Sequence, residues 1–103
     1  MEELIENYKK LNVEIGKAFI LTNDIKTKKI LINIVELAHE LYPKTVNKEE
    51  FDKFEESFYD LYTDLLLNNA IDEQCKGNII IGIDKLLMDK RPIETEKALV
   101  RTI

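Results

Sequence analysis

The spacing of Glu36 and His39 is the feature of this sequence that most resembles a metal-binding motif. On a helix, a Glu-x-x-His pair places its two side chains next to each other on one surface. Di-metal carboxylate bundles use that motif from two helices, with a further Glu from each of two others. His39 is the only histidine of the chain, so a second copy would have to come from a homodimer. Both side chains also point away from the apolar stripe of their segment, and we expect no metal site and no bound cofactor.

Nucleophilic catalysis has no better support in the sequence. Cys75 and His39 would make a Cys–His pair, but neither has a sequence neighbour that would orient it or supply an oxyanion site. Cys75 lies at an apolar helical position, where a free cysteine is usually a small buried hydrophobe. Ser57, the only serine, lies in mid-helix. Gly77 and Gly82 lack the Lys and the Ser or Thr that follow in a phosphate-binding loop, so the sequence predicts no enzymatic activity.

Four segments repeat their apolar residues at the three- and four-residue spacing of amphipathic helices. They cover about residues 2–21, 25–42, 48–68 and 73–90, and residues 91–103 remain as a C-terminal tail. The third segment has the clearest start, because Asn47 and Glu50 form the pattern of a capping box. Behind them, Phe51, Phe54 and Phe58 form an aromatic stripe that we expect to be fully buried.

The fourth segment is the least regular of the set. Asp72 is a good N-cap, but Gly77 and Gly82 each disfavour a helix interior. The stretch "NIIIGI" is compatible with a short strand, although a lone strand would have no partner in this chain. A helix is therefore favoured, and Gly82 at the edge of its apolar face would permit close contact with another helix.

Short connections between long helices place sequential helices antiparallel to each other. The charges agree with such a pairing, because the second helix begins with lysines and the third ends with aspartates, where the helix dipole disfavours them. An antiparallel pair would bring these groups together: Lys26, Lys28 and Lys29 with Asp60 and Asp64. The sequence predicts an all-α protein of one domain, an antiparallel up-down four-helix bundle with a short C-terminal extension.

Length and composition narrow the class of protein further. A chain of 103 residues with 45% hydrophobic and 34% charged residues fits one globular domain. A net charge of −5 argues against nucleic acid as a partner, because binding needs clustered Lys and Arg. No apolar run approaches the ~20 residues that span a bilayer, and "MEELIENYKK" has no signal-peptide pattern. We expect a cytoplasmic protein, and the abundance of Lys, Ile and Asn suggests a low-GC bacterium.

Two stretches resemble a known family of small helical proteins. "KKILINIVELAHELY" is similar to the second helix of the bacteriocin immunity proteins that guard producers of pediocin-like peptides (the enterocin A immunity type). "FEESFYDLYTDLLLNNAIDEQCKGNIIIGIDKLL" is similar to that family's third and fourth helices, so the resemblance covers about residues 28–88. It implies a cytoplasmic antiparallel bundle that protects the cell through the membrane sugar-uptake complex that the bacteriocin targets.

The resemblance also implies where a partner is recognised. In that family the C-terminal part helps to choose which bacteriocin is resisted, which points here to the end of the fourth helix and the tail. The candidate recognition residues are Lys85, Lys90, Arg91, Ile93, Lys97, Leu99, Val100, Arg101 and Ile103. The tail either packs back on the bundle or stays free for a partner. The chain departs from the many basic family members by its net charge of −5, which weakens any attraction to an anionic membrane surface.

Two other interpretations of function stay open. "YPKTVNKEEFDKFEESFYDLY" looks like a family of small helical-bundle proteins of unknown function from bacilli. The acidic third helix suggests a phage- or plasmid-encoded inhibitor that presents a decoy surface to a host protein, although a solvated helix face explains its charges as well. The acids in question are Glu49, Glu50, Asp52, Glu55, Glu56, Asp60 and Asp64. Neighbouring genes would separate the three interpretations.

Overall fold

The four predicted helices are present and pack as a bundle. The structure is a computed structural model that describes residues 2–92. Its helices are α1 (Glu2–Leu21), α2 (Ile25–Leu41), α3 (Lys48–Leu66) and α4 (Glu73–Lys90), with no strand among the described residues. α1 packs mainly on α4 and α2 on α3, and α1 also contacts α2. The prediction of an all-α four-helix bundle is confirmed, while the tail beyond Pro92 lies outside the described residues.

Hydrogen bonds at the helix ends establish the antiparallel arrangement. Asn7 near the start of α1 donates to Asp89 near the end of α4 at 2.8 Å, and Asn78 near the start of α4 donates to Glu14 on α1 at 3.3 Å. Asn68, just after α3, donates to the Thr27 hydroxyl at the start of α2 at 2.7 Å. The two principal helix pairs therefore run in opposite directions.

Side-chain caps set the helix starts as the sequence predicts. Asp24 caps α2 by accepting from the Thr27 amide at 2.9 Å. Asn47 accepts from the Glu50 amide at 2.8 Å, and the Glu50 carboxylate accepts in return from the Asn47 amide at 3.2 Å. This reciprocal pair is the predicted capping box. Asp72 caps α4 through the Cys75 amide at 2.8 Å.

Two helix ends differ slightly from the predicted ones. α2 ends at Leu41 and α3 at Leu66, each one or two residues before the predicted end. Tyr42 and Leu67 serve as C-caps, and their amides still donate to carbonyls of the last helical turn. Helix ends of this kind commonly fray over one or two residues.

Acid should weaken these caps at Asp24 and Asp72. The hydrogen bond from the Thr27 side chain lowers the pKa of Asp24, and the hydrogen bond from the Cys75 amide lowers the pKa of Asp72. Because both folded-state pKa values are depressed, the caps stabilise the protein above the unfolded-state pKa and lose that stabilisation as pH falls through the folded-state pKa. We expect the melting temperature to fall on this acid limb.

The double variant Asp24→Asn with Asp72→Asn tests this assignment. Asparagine keeps the capping oxygen but does not titrate, so melting temperature should fall less steeply with acid than in the parent chain. Asp64→Asn, which removes a carboxylate that caps no helix, is the matched control. An unchanged acid limb in the double variant would mean that other carboxylates produce it.

The core is one cluster of buried apolar side chains from all four helices. Phe51 and Phe58 are essentially inaccessible to solvent, but Phe54, which the aromatic stripe predicts to be fully buried, is only half-buried. α4 is continuous through Gly77 and Gly82, so "NIIIGI" is helical and not a strand. Gly82 lies against α1, where a Cβ atom would come within 2.9 Å of the Leu11 side chain.

Lysines satisfy carbonyl groups at the ends of three helices. Lys28 donates to Phe19 of α1 at 3.0 Å, Lys76 to Leu66 of α3 at 3.3 Å, and Lys90 to Tyr42 after α2 at 3.0 Å. The last carbonyls of a helix have no intrahelical partner and carry partial negative charge, which favours a cation there. These contacts tie each helix end to a later helix.

The lysines at the start of α2 and the aspartates near the end of α3 do not form the predicted ion pairs. Among residues 2–92, none of the lysines at the start of α2 forms an ion pair with Asp60 or Asp64. Lys28 turns instead to α1, where its ammonium also lies 4.0 Å from the centre of the Phe19 ring. The antiparallel pairing of α2 with α3 was predicted correctly, but these ion pairs do not accompany it.

Candidate functional site

The Glu36–His39 pair lies exposed on the surface of α2. His39 Nδ1 and the Tyr8 hydroxyl are 3.0 Å apart, and the Tyr8 ring stacks on Tyr42 with 4.0 Å between ring centres. Within the part of the chain that the structure describes, no group of three or more His, Cys, Asp or Glu side chains could hold a metal ion. In this setting His39 links α1 to α2.

Cys75 lies half-buried in the first turn of α4. Burial raises the pKa of its thiol, and the hydrogen bond to Asp72 raises it further. The thiolate is the nucleophilic form of cysteine, and a raised pKa reduces its population at neutral pH. In this environment Cys75 is less nucleophilic than a solvated thiol. Ser57 is exposed on α3.

Three of the predicted recognition residues fall within the described chain, at the end of α4. Lys85 is exposed, whereas Lys90 donates to the carbonyls of Tyr42 and Lys44, and burial lowers the pKa of its ammonium group. Arg91 forms an ion pair with Glu55 at 2.9 Å. Lys90 and Arg91 thus hold the end of α4 against the neighbouring helices.

The remaining recognition residues lie outside the described part of the chain, and their role stays a prediction. They are Ile93, Lys97, Leu99, Val100, Arg101 and Ile103.

An open groove runs between α1 and α2, with a volume of about 590 Å³. Buried Ile15 and Leu31 form its floor, together with Gly16, where a Cβ atom would meet nothing within 4 Å. The main packing partners of these two helices are α4 and α3. The missing side chain at Gly16 leaves the space between α1 and α2 unfilled. The groove is lined by Tyr8, Asn12, Ile15, Gly16, Phe19, Ile20, Leu31, Ile32, Val35 and Glu36.

The rims of this groove expose large apolar side chains. Ile20 is 80% exposed and Ile32 42%. Val13, 53% exposed, lies on α1 outside the lining. Val13, Gly16 and Ile20 follow one another at spacings of three and four along α1, so they share one side of that helix. Contiguous apolar surface of this kind marks binding sites in soluble proteins more often than scattered single residues do.

The apolar surface continues around the end of the bundle. Leu21 is 73% exposed and Ile25 69%, at the turn between α1 and α2. Leu67, which is 76% exposed, follows α3 at the same end, where the Asn68–Thr27 hydrogen bond joins the two connections. The groove therefore opens onto a wider apolar end.

An acidic cleft adjoins the groove on the far side of α2. It lies between α2 and α3, has a volume of about 340 Å³, and includes Glu36, Glu40 and Asp60. Glu36 lines both the groove and this cleft. Glu40 pairs with Lys44 at 3.4 Å, but among residues 2–92 neither Glu36 nor Asp60 forms an ion pair. Negative charge thus follows one side of the apolar groove.

This groove is not apparent from the sequence alone. Ile32 and Val35, which line it, fall outside the main apolar stripe of α2. By periodicity alone, these residues show only that the apolar surface of α2 extends beyond its main stripe. The packing of α1 beside α2 brings them into one groove with Ile15 and Phe19, and no local pattern encodes that packing.

The fold and the groove together define a four-helix bundle with an exposed apolar groove between α1 and α2. No family model, no curated protein and no solved structure matches the chain. In residues 2–92 no helix has both the length and the apolar character needed to cross a membrane.

Proposed function

We propose that the chain is a non-enzymatic cytoplasmic protein that protects its cell against a pediocin-like bacteriocin by binding another protein. The observation that carries the binding role is the apolar groove between α1 and α2, whose rims expose Ile20 and Ile32 to water. Exposure of large apolar side chains is unfavourable unless a partner covers them.

The resemblance to bacteriocin immunity proteins supplies the biological context. It favours a membrane sugar-uptake complex as the partner, engaged from the cytoplasmic side, with no cofactor. Lys85, exposed near the end of α4, belongs to the surface that the resemblance assigns to recognition. The groove and this surface would act together, one supplying apolar contact area and the other the choice of bacteriocin.

Expression in a strain sensitive to several pediocin-like peptides tests the proposed function. We expect cells that carry the chain to survive one or two of the peptides and to remain sensitive to the others. Cells with an empty vector are the control, and cellular levels of the protein are measured alongside. Full sensitivity to a broad panel, with normal protein levels, would contradict the immunity function.

A second candidate, an inhibitor that presents an acidic surface to a host protein, is favoured by the cleft that contains Glu36 and Asp60. Genes next to this one separate the two candidates. A bacteriocin precursor and its exporter would support immunity, and phage genes would support the inhibitor. Housekeeping genes would favour the helical-bundle family of unknown function.

A further inference from the structure

We propose that the α1–α2 groove binds a single amphipathic helix of a partner protein, with the basic side of that helix turned towards α2. The inference rests on the proposed function only in taking another protein as the partner, and it adds the chemistry by which that partner is recognised. The partner would supply a stripe of apolar side chains for the groove and Lys or Arg residues for the acidic cleft beside it.

The dimensions of the groove fit one helix. Its lining on α1 extends from Tyr8 to Ile20, which is about 18 Å at the helical rise of about 1.5 Å per residue. A helix of three to four turns has that length, and its apolar residues at i, i+3, i+4 and i+7 form a stripe of matching extent. The open space above Gly16 admits a large side chain from such a stripe, because nothing lies within 4 Å of a Cβ position there.

The carboxylates beside the groove favour a basic helix. Glu36 is the one charged residue in the lining of the groove, and the same residue lines the cleft that also contains Glu40 and Asp60. A Lys or Arg on the flank of the bound helix would reach over α2 towards these carboxylates while its stem covers apolar surface. The part of the lining that α1 supplies, from Tyr8 to Ile20, contains no charged residue. The partner therefore needs basic residues along one flank, which also fixes its orientation.

The same charges disfavour a second copy of this chain as the occupant. A two-fold dimer through the groove would place the same surface of each copy against the other. Two chains of net charge −5, each with carboxylates beside the groove, would then face each other and repel. A basic partner meets the same surface with opposite charge.

Two synthetic peptides and two matched variants test the inference on the full-length purified chain. Each peptide has about 18 residues, which exceeds the ~12–15 residues below which an isolated helix is marginal in water. Both carry one leucine stripe, with lysines along one flank in the first and glutamates in the second. Gly16→Leu fills the groove, and Gly77→Leu makes the same change on α4, outside the groove lining, at a position where a Cβ would also meet nothing within 4 Å. Circular dichroism confirms that both variants remain helical.

We expect the lysine peptide to bind and to shift the backbone amide resonances of α1 and α2 around the groove. The glutamate peptide should bind at least about ten-fold more weakly than the lysine peptide. Gly16→Leu should weaken binding of the lysine peptide by a similar factor. Gly77→Leu should leave binding unchanged. Glu36→Lys should reduce the difference in affinity between the two peptides, because it reverses the charge in the groove that favours the lysine peptide.

Several outcomes would overturn the inference. The first is that neither peptide binds. The second is that the lysine peptide binds equally well to Gly16→Leu, and the third is that it shifts only the amide resonances of α3. A concentration-dependent dimer in sedimentation that Gly16→Leu abolishes would assign the groove to a second copy. Shifts of the groove amides on removal of residues 93–103 would assign it to the chain's own C-terminal segment.

The peptide-binding test and the cell-survival test can give opposite results, so they judge the two proposals separately. Survival with no peptide binding would retain the immunity function and refute the groove as its recognition surface. Peptide binding with no survival against any bacteriocin would retain the recognition chemistry and refute the immunity function.

Discussion

Phe58→Ala is expected to lower the free energy of unfolding by about 3–5 kcal/mol, the usual loss for a large aromatic side chain in a packed core. The Phe58 side chain is inaccessible to solvent and belongs to the cluster that joins all four helices. Its removal leaves a cavity that the surrounding helices fill only in part. Since small domains are stable by about 5–15 kcal/mol, the loss is a large share of the total.

Urea unfolding of Phe58→Ala beside Phe54→Ala measures this difference. Phe54 is only half-buried, so folding removes less of its apolar area from water than it does for Phe58. Truncation of Phe54 should therefore cost about 1–2 kcal/mol. For a domain of this size, each kcal/mol corresponds to about 4–8 °C in melting temperature. Equal losses of unfolding free energy in the two variants would contradict the difference in burial between Phe58 and Phe54.

These two phenylalanines show how far periodicity predicts burial. Phe51, Phe58 and Leu65 are buried and recur every seven residues, whereas Phe54 and Leu61 form a parallel row offset by three and are half-buried. Helical spacing assigns both rows to one apolar face. Only the position of α3 against its neighbours decides which row enters the core, so the sequence predicts the face but not its centre.

The caps of α3 and α4, in contrast, were readable from the sequence. Asn47 and Asp72 lie at the predicted positions because a cap depends on residues within one turn. Lys28 shows the limit of that approach. Its contact with the Phe19 carbonyl spans two helices, and the helix dipole alone predicted a different partner.

The groove was beyond sequence analysis for the same physical reason. Its floor at Ile15 and Leu31 belongs to the predicted stripes, but its openness depends on how α1 and α2 pack against each other, which is a tertiary property. The predicted recognition surface rests instead on a family resemblance. Of its described members, Lys90 and Arg91 contact their own bundle and Lys85 is exposed, so Lys85 is the first position for substitutions that test partner choice.

Gly82→Leu is expected to destabilise the bundle by about 1–3 kcal/mol through overpacking. A Cβ atom at this position would lie 2.9 Å from Leu11 Cδ1 and 3.3 Å from Leu11 Cβ. Leu11 is fully buried and has little room to move, so a leucine at Gly82 would push α1 away from α4. These two helices form the most extensive pair in the fold, and their separation would expose core residues of both.

Gly77→Leu in the same helix is the matched control, with an expected effect of opposite sign. Leucine is favoured over glycine in a helix by about 1 kcal/mol or slightly less, and at Gly77 no atom within 4 Å opposes a Cβ. Urea unfolding should therefore give a higher midpoint for Gly77→Leu and a lower one for Gly82→Leu than for the parent chain. Stabilisation by both substitutions would mean that helix propensity outweighs contact with Leu11, and that α1 and α4 do not require a glycine where they meet.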